Sequence, residues 1–411
     1  MDYRETARKV KEASIILGAL DEETRNRALA AIADALTAEK EKIFEANRKD
    51  LEEGASLPGP ILGRLKFDDH KLQDVAAGIR GMISLEDPVG KILFRRELDQ
   101  DLVLTRVTCP IGVIGVIFES RPDALVQISS LCVKSGNGAI LKGGSEARRT
   151  NRALFDVIYA AGISAGLPED FAAIIEDRAG IGEIIKCSES IDLLIPRGSN
   201  AFVKYIMDNS DIPVMGHAAG ICHVYVDKDA DLDKAIPIIV DAKTQYVAAC
   251  NAAETLLLHK DIADQVMERL PGASKISVEY IPASSEEDFR EYLDYKMTYK
   301  SVESLDEAIA HINRYGSHHT DSIVTENEAA ADRFMDLVDS AGVYWNASTR
   351  FADGFRYGFG AEVGISTGKM PPRGPVGLDG LVTYKYKLKG KGHIVGDYAS
   401  GKRAFHFREL T

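Results

Sequence analysis

Several residue patterns are missing from this 411-residue chain, and each absence narrows its possible functions. The five cysteines, at positions 109, 132, 187, 222 and 250, form no C-x-x-C pair, so neither a zinc site nor a disulfide framework is indicated. The longest apolar run, residues 111–118, is far shorter than the roughly 20 residues of a membrane helix. Lys and Arg number 50 against 63 Asp and Glu, and the net charge of −13 argues against a nucleic-acid binder.

Nucleotide-binding and export signatures are missing as well. The chain contains neither G-x-G-x-x-G nor a Walker A motif, so no standard fingerprint identifies a cofactor site. The first five residues carry charges of both signs and begin no apolar segment of signal-peptide length. We therefore expect a cytoplasmic protein, with no membrane association.

The chain does contain a regular alternation of short apolar runs and amphipathic segments, after a helical pattern over residues 1–50. Strands are predicted at 111–118, 139–141, 171–175, 191–195, 222–226, 254–259, 322–324 and 342–345. Helices are predicted at 125–133, 151–161, 201–207, 235–243, 262–270, 305–315 and 328–338. This order is typical of βαβ units, and it predicts an α/β protein with two parallel-sheet domains. Alternating segments at 93–107 and 381–388 predict a polar hairpin and an edge strand.

One glycine-rich turn has the composition of a phosphate or ribose site. The predicted strand 139–141 leads into Lys142-Gly143-Gly144-Ser145-Glu146, just before a helix that carries Arg148 and Arg149. Backbone N–H groups at a helix start, with a lysine as a further donor, suit an anionic or hydroxyl-rich ligand. An ordinary tight turn is the alternative reading of the same residues.

Two side chains outside that turn are candidates for chemistry. Cys250 lies between a helix and a strand among small neighbours, where a thiol can be exposed and ionised, although a buried packing role is the alternative. His217 lies in a glycine-bounded loop and can act as an acid or base, or brace the loop. His318 and His319 are adjacent, would point apart on a regular element, and have no metal-ligand spacing; no metal site is predicted.

Seven ordered motifs resemble the aldehyde dehydrogenase superfamily over nearly the whole chain. They are residues 118–123, 134–137, 141–147, Cys250-Asn251, 350–355, 358–367 and 373–381. The resemblance implies an aldehyde dehydrogenase-like fold, with two parallel α/β domains, one for the cofactor and one for catalysis, and a small β oligomerisation arm. It implies most closely the branch that reduces L-glutamyl 5-phosphate to L-glutamate 5-semialdehyde and phosphate with NADPH, through a cysteine thioester, in L-proline biosynthesis.

The same resemblance implies domain limits and partners. The NADPH-binding domain is expected at 1–91 and 109–224, the catalytic domain at 225–372, and the arm and C-terminal tail at 92–108 and 373–411. An arm of this kind implies a homo-oligomer, a dimer or tetramer, with an edge strand paired across subunits. Functional coupling to a glutamate 5-kinase is an open expectation.

Roles for single residues also come from the resemblance, which makes Cys250 the nucleophile. Lys142 is implied to hold the adenosine ribose, with Gly143 and Gly144 as cofactor-binding residues of the same turn. Ser145 and Glu146 are implied to approach the 2′ position of that ribose, Gly198 and Ser199 to face the pyrophosphate, and Glu291 to hold the nicotinamide ribose. Ser120 occupies the position of the superfamily's oxyanion-hole asparagine, and Ser120 or Asn251 is expected to supply a second donor beside the Cys250 N–H.

His217 occupies the position at which aldehyde-oxidising members carry the glutamate that activates water. The loss of that glutamate agrees with a reductase that does not hydrolyse its thioester. Arg121, Asn346, Ser348 and Arg350 are candidates for binding the substrate's carboxylate and ammonium groups, with a bracing role as the alternative. Asn346 and Ser348 are favoured, because the predicted strand 343–345 leads to them near the cleft of the second domain. Two rival functions remain: oxidation of another semialdehyde to a free acid by an NAD(P)-dependent enzyme with His217 as the base, and a catalytically inactive subunit of the same fold.

Overall fold

The computed structural model of the protein describes residues 2–177, 180–216, 219–370 and 372–410, and the chain divides into two units. The first unit comprises Met1–Gly198, Ile206–Val214 and Gly377–Thr411, and the second comprises Ser199–Tyr205 and Met215–Val376. Because strand Cys222–Val226 belongs to the sheet of the second unit, the border expected at 224/225 falls inside that strand. The tail from Gly377 groups with the first unit.

The first unit opens with five helices. Helices α1 to α5 span Tyr3–Leu17, Glu22–Ala38, Lys40–Glu53, Gly59–Leu65 and Asp69–Ile83. An aspartate precedes three of them, and each such carboxylate accepts a hydrogen bond from a backbone N–H of the first turn. Aspartate is among the residues that best satisfy these otherwise unpaired N–H groups, so the starts of these helices are fixed locally.

A parallel sheet forms the centre of the first unit. After the hairpin strands β1 (Ile92–Asp99) and β2 (Leu102–Pro110), the chain continues as β3 (Val113–Phe118), α6 (Pro122–Lys134), β4 (Gly138–Lys142), α7 (Arg148–Ser164), β5 (Ala172–Ile175), α8 (Gly180–Ile184) and β6 (Leu193–Arg197). The helix α9 (Asn200–Asn209) follows, and its residues are divided between the two units. The sheet order is β5-β4-β3-β6, with all pairs parallel. All six residues of β3 are buried, as expected for a strand whose sheet is covered on both faces.

A six-stranded sheet forms the second unit, which confirms the predicted second α/β domain. Its elements are β7 (Cys222–Val226), α10 (Leu232–Thr244), β8 (Ala253–His259), α11 (Ala263–Arg269), β9 (Glu279–Pro282), β10 (Lys296–Val302), α12 (Leu305–Tyr315), β11 (Thr320–Val324), α13 (Glu328–Leu337) and β12 (Gly342–Trp345). The order is β12-β11-β7-β8-β10-β9, and every pair is parallel. Strands β13 (Gly364–Ser366) and β14 (Gly374–Val376) pair separately.

The predicted hairpin and terminal strand belong to a second, antiparallel sheet of the first unit. Strand β15 (Val382–Lys389) pairs with β2 along its whole length, and the order is β15-β2-β1-β16, where β16 is Arg408–Glu409 and follows the short helix α14 (Val395–Ala399). Strand β15 is therefore an edge strand, as predicted. None of the helices in the described part of the chain has the length and apolar character that crossing a bilayer requires.

Candidate active site

The loops that lead into three neighbouring strands of the second unit meet at one end of its sheet, where these strands begin. Gly220 lies just before β7, Cys250 just before β8, and His319 immediately before β11. The order β11-β7-β8 makes these strands neighbours, and parallel strands all begin at the same edge. The topology therefore brings together three residues that are up to a hundred positions apart in the sequence.

The thiol of Cys250 contacts an imidazole at this edge. Cys250 is partly exposed, and its Sγ lies 3.2 Å from Nε2 of His319, which is almost completely buried. The other ring nitrogen, Nδ1, lies 2.8 Å from the hydroxyl of Thr320. The arrangement places a potential nucleophile, a potential base and a group that orients the base in one line of hydrogen bonds.

Sequence reasoning missed His319, which was set aside with its neighbour His318. The two rings point apart, but for a specific reason: His318 has a left-handed backbone with φ of +58°, and its Nδ1 is directed at the carbonyl of Asp339, 2.6 Å away. The signal that was available is positional, because His319 and Cys250 both directly precede buried strands. Only the strand order shows that those strands flank β7.

Glu291, expected at the cofactor ribose, is attached to the Cys250 loop through Gly220. Its Oε1 accepts a hydrogen bond from the Gly220 N–H at 3.1 Å, and its Oε2 accepts one from the side chain of Asn200. A Cβ atom on Gly220 would lie 2.0 Å from the carbonyl oxygen of Cys250, so only glycine allows this approach. The structure thus brings Glu291 close to the predicted nucleophile.

A buried ion pair lies near the start of β8, and no sequence motif indicated it. Lys243 Nζ donates to Glu254 Oε2 at 2.6 Å, and both side chains are almost fully buried. Burial raises the pKa of Glu254 and lowers that of Lys243, and the attraction between the two side chains opposes both shifts. The second oxygen of Glu254 lies 3.4 Å from the N–H of Leu293, a residue with φ of +54°. The pair therefore braces the turn that directly follows Glu291.

Asn251 and Arg350 occupy the inner side of the Cys250 loop. The Asn251 amide donates to the carbonyl of Ala352 at 2.8 Å, so this side chain braces the loop. Arg350 is almost buried, and its Nε donates to Gln245 Oε1 at 2.9 Å. Burial, followed by the charge of a neighbouring arginine, lowers the pKa of Arg350, while the ionised thiol of Cys250 acts in the opposite direction. Arg350 is thus a cation electrostatically coupled to Cys250.

The structure does not bring Asn346 to the same place. Its backbone follows β12, level with Val324 in the strand register, whereas His319 precedes the first residue of β11. At about 3.3 Å per residue, the five positions from His319 to Val324 span about 16 Å. The Asn346 carboxamide is also engaged with the backbone N–H and C=O of Thr325, each at 3.0 Å. These contacts correspond to the bracing alternative.

Ser348 lies further along the same segment and is buried. Its hydroxyl accepts a hydrogen bond from the Arg350 N–H at 3.3 Å, at the start of the short turn Thr349–Phe351. The hydroxyl of Thr349 donates to the carbonyl of Asn251 at 2.7 Å and connects this turn to the loop that carries Cys250. Ser348 therefore shapes the segment that carries Arg350.

In the first unit, the glycine-rich turn follows β4 as predicted. The Lys142 ammonium is buried and lies 2.5 Å from the Gly143 carbonyl. A Cβ on Gly143 would lie 2.2 Å from the amide of the buried Asn151 side chain, and one on Gly144 would lie 2.1 Å from the Glu146 carboxylate, so a larger residue at either position would displace one of these side chains. A lysine and a closely packed glycine turn at the carboxyl end of a parallel strand fit the ribose and phosphate of a dinucleotide.

Ser120 and Glu146 form a pair within the same unit. The Ser120 backbone has φ of +42°, and its N–H and hydroxyl both donate to Glu146 Oε1, at 2.7 and 2.6 Å. Ser145 is exposed beside this carboxylate, and Arg121 is exposed directly after Ser120 at the start of α6.

Two predicted cofactor residues lie after β6, and one predicted catalytic residue cannot be placed. Gly198 and Ser199 are exposed before α9, and the Ser199 hydroxyl accepts a hydrogen bond from the Phe202 N–H at 3.4 Å. Both Gly198 and Ser199 directly precede the helix α9. His217 lies outside the described residues.

Known proteins match this architecture and this sequence. The profile of the "Aldehyde dehydrogenase family" matches residues 1–279. A gamma-glutamyl phosphate reductase from Pelotomaculum thermopropionicum is 60% identical, with 100% of this chain and 98% of the relative covered, and one from Acetivibrio thermocellus is 57% identical, with 100% and 99% covered. The crystal structure of a gamma-glutamyl phosphate reductase from Thermotoga maritima superposes with a TM-score of 0.92 at 38% identity, covering 96% of this chain and 100% of that one. The expected α/β fold is confirmed.

Proposed function

The chain belongs to the aldehyde dehydrogenase family, and from this we propose that it reduces L-glutamyl 5-phosphate to L-glutamate 5-semialdehyde and phosphate with NADPH, in L-proline biosynthesis. Relatives at 60% and 57% identity over the full chain carry the name gamma-glutamyl phosphate reductase. The observation that carries the proposal is the partly exposed thiol of Cys250, the position of the superfamily's nucleophile, at the edge of the second unit's sheet.

The proposed reaction proceeds through a thioester on Cys250. The thiolate attacks the acyl carbon, and the carbon–oxygen bond to phosphate breaks, so the acyl group is transferred to sulfur without passing through water. NADPH, when bound, supplies the hydride that reduces this thioester. The carbon–sulfur bond then breaks, the semialdehyde leaves, and the thiolate is regenerated.

Residues of each unit have separate roles in this proposal. In the first unit, Lys142, Gly143 and Gly144 hold the adenosine ribose, and Ser145 and Glu146 lie beside its 2′ position. In the second unit, Glu291 holds the nicotinamide ribose, and Arg350 attracts the anionic substrate because it is a nearly buried cation coupled to Cys250. The engagement of Asn346 with Thr325 makes Arg350 the stronger candidate for substrate binding.

The proposed enzyme acts as a homo-oligomer, and the edge strand β15 is the element that would pair with a second copy. Eight residues of β15 form the border of its sheet, and seven of them are exposed. An open edge of this length tends to be covered by another strand. Functional coupling to a glutamate 5-kinase is a further part of the proposal, because such a kinase makes the acyl phosphate that this reaction consumes.

The decisive experiment is the oxidative assay with glutamate 5-semialdehyde, with and without phosphate, and with NADP⁺ or NAD⁺. The proposal expects strict dependence on phosphate and a preference for NADP⁺. Oxidation to a free acid without phosphate would instead favour the dehydrogenase reading. Cys250→Ala should abolish activity and retain cofactor binding, whereas Cys109→Ala, at a cysteine that is likewise only partly buried, should remain active. Activity of Cys250→Ala within tenfold of the parent enzyme would refute the mechanism.

A further inference from the structure

We propose that His319 is the acid–base partner of Cys250, taking the proton of the thiol and returning a proton to the phosphate oxygen as it leaves. This inference rests on the function proposed above and adds a residue that none of the sequence motifs contains. Its basis is the contact of 3.2 Å between Cys250 Sγ and His319 Nε2. The contact lies at the end of the sheet where strands β8 and β11 begin.

The partner on the far side of the ring favours the tautomer that this role needs. Nδ1 of His319 lies 2.8 Å from the Thr320 hydroxyl, which can accept a hydrogen bond from a protonated Nδ1; in that tautomer Nε2 carries no proton and can receive that of the thiol. The same hydroxyl is hydrogen-bonded to Tyr344, whose phenol contacts Tyr357. Burial raises the pKa of both phenols, so they stay protonated and continue the hydrogen-bond chain at neutral pH.

Other charged and titratable groups around the pair are consistent with a thiolate–imidazolium state. Arg350 is the nearby cation that favours a negative charge on Cys250. Cys222 donates to the Cys250 carbonyl at 3.4 Å, and burial raises the pKa of its thiol well above the usual value, so it contributes no charge. Asp321 is buried and accepts hydrogen bonds from His223 and Ser340, which compensate its charge.

Comparison with the three buried cysteines shows that the environment of Cys250 differs from theirs. Cys132, Cys187 and Cys222 are buried, and burial raises the pKa of each of these thiols, to about 12 for Cys132. A thiol raised in this way is inert near neutral pH. Cys250 combines partial exposure with an imidazole in contact and a neighbouring guanidinium, which are the features that activate a cysteine.

The protons balance over the cycle. The Cys250 S–H proton moves to Nε2, the carbon–sulfur bond forms, and the electron pair of the carbon–oxygen bond leaves with the phosphate oxygen, which takes the proton from Nε2. Hydride addition and rupture of the carbon–sulfur bond then return the thiolate, and one proton from water restores the starting state. The reaction thus consumes one proton for each hydride, and His319 is the group through which that proton passes.

The test measures the reactivity of Cys250 directly, apart from turnover. Second-order rates of alkylation by iodoacetamide are followed at the Cys250 peptide by mass spectrometry between pH 5 and 9, for the parent protein, His319→Gln and His318→Asn. His318→Asn is the matched control, because asparagine tolerates a positive φ and His318 points away towards Asp339. A thiol with the ordinary pKa of about 8.5 is only about 1% ionised at pH 6.5. The alkylation rate of His319→Gln at pH 6.5 should therefore fall at least tenfold, with the control unchanged.

Turnover provides the second readout. The loss of a general acid–base group should lower kcat by about 10²- to 10⁴-fold, while the KM for NADPH stays within about threefold. If His319→Gln fails to fold, Thr320→Val, which keeps the imidazole and removes its hydroxyl partner, should shift the alkylation profile to higher pH. The inference is overturned if neither variant changes the profile, or if His319→Gln keeps full kcat. Those results would leave the dependence on Cys250 intact, whereas an active Cys250→Ala variant would refute the proposed function itself.

Discussion

Replacing Glu254 by glutamine should destabilise the second unit strongly, since it leaves the Lys243 ammonium buried opposite a neutral amide. The two side chains are 0% and 1% exposed, and their charged atoms are 2.6 Å apart. Removing one partner of a buried pair typically costs about 3–5 kcal/mol. Lys243 can also lose its proton, which costs about 4.6 kcal/mol at pH 7 for a group with an ordinary pKa of about 10.4. The stability lost in Glu254→Gln therefore cannot exceed a value of about this size.

Denaturant unfolding of Glu254→Gln, followed by the fluorescence of Trp345 in the second unit, measures this cost. Glu326→Gln is the matched control, because Glu326 pairs with Lys234 at 2.8 Å while both side chains are about half exposed. Exposed pairs contribute about 0–1 kcal/mol, so the control should lose little. The double variant Lys243→Met/Glu254→Leu should recover most of the loss, because it buries no charge. A loss below about 1 kcal/mol for Glu254→Gln would refute the reasoning.

Three further outcomes are expected. Gly220→Ala should lower kcat by at least about 100-fold, because the new Cβ would lie 2.0 Å from the Cys250 carbonyl and displace the nucleophile. Burial lowers the pKa of His311 from 6.5 to about 3. The stability that the neutral imidazole provides above pH 6.5 is therefore lost as the pH falls, and the loss is about 1.4 kcal/mol at pH 5.5. His311→Phe should remove this pH dependence of the unfolding free energy in acid titrations. Tyr386→Lys on the exposed edge strand β15 should dissociate the oligomer in light scattering.

Each of these outcomes has its own control. Gly220→Ala should leave the unfolding of the first unit unchanged, and normal kcat would show that the loop adapts. His70→Gln, at an imidazole whose side chain is 83% exposed, should leave the pH dependence of stability unaltered, and an unchanged slope in His311→Phe would contradict the assignment to His311. A parent protein that is monomeric at micromolar concentration would remove the argument about β15.

Much of the fold could be predicted because apolar periodicity marks buried elements. The predicted strand 222–226, helix 305–315 and strand 342–345 match β7, α12 and β12 in both limits. The prediction passed from helix 262–270 directly to helix 305–315 and missed β9 and β10. Strand β9 lies at the sheet border and β10 is its inner neighbour, in which four of the seven residues are lysine, threonine or serine. An element with only part of its surface in the core carries a weak hydrophobic signal.

The candidate site was predictable only where its residues lie in motifs. Cys250 and Lys142 occur in recognisable segments, and the structure places each at the end of a loop or strand, as expected. His319 was not predictable, because its partner is 69 positions away and only the packing of β11, β7 and β8 brings the two together. The Lys243–Glu254 pair escaped for the same reason, since burial of two charges is a property of the packed core.

The end of the sheet at which the candidate site lies explains why His319 was missed and why Asn346 was expected at the site. Ligands of open α/β sheets usually bind beyond the carboxyl ends of the strands, and Lys142 in the first unit follows that rule at the end of β4. In the second unit, however, Gly220, Cys250 and His319 all precede their strands, and Asn346 lies beyond the opposite edge. At the amino edge the strands present backbone N–H groups that are not all used by a neighbouring strand, and such groups can stabilise negative charge. The attacking thiolate and the departing phosphate are both anions, so this end of the sheet suits the proposed chemistry.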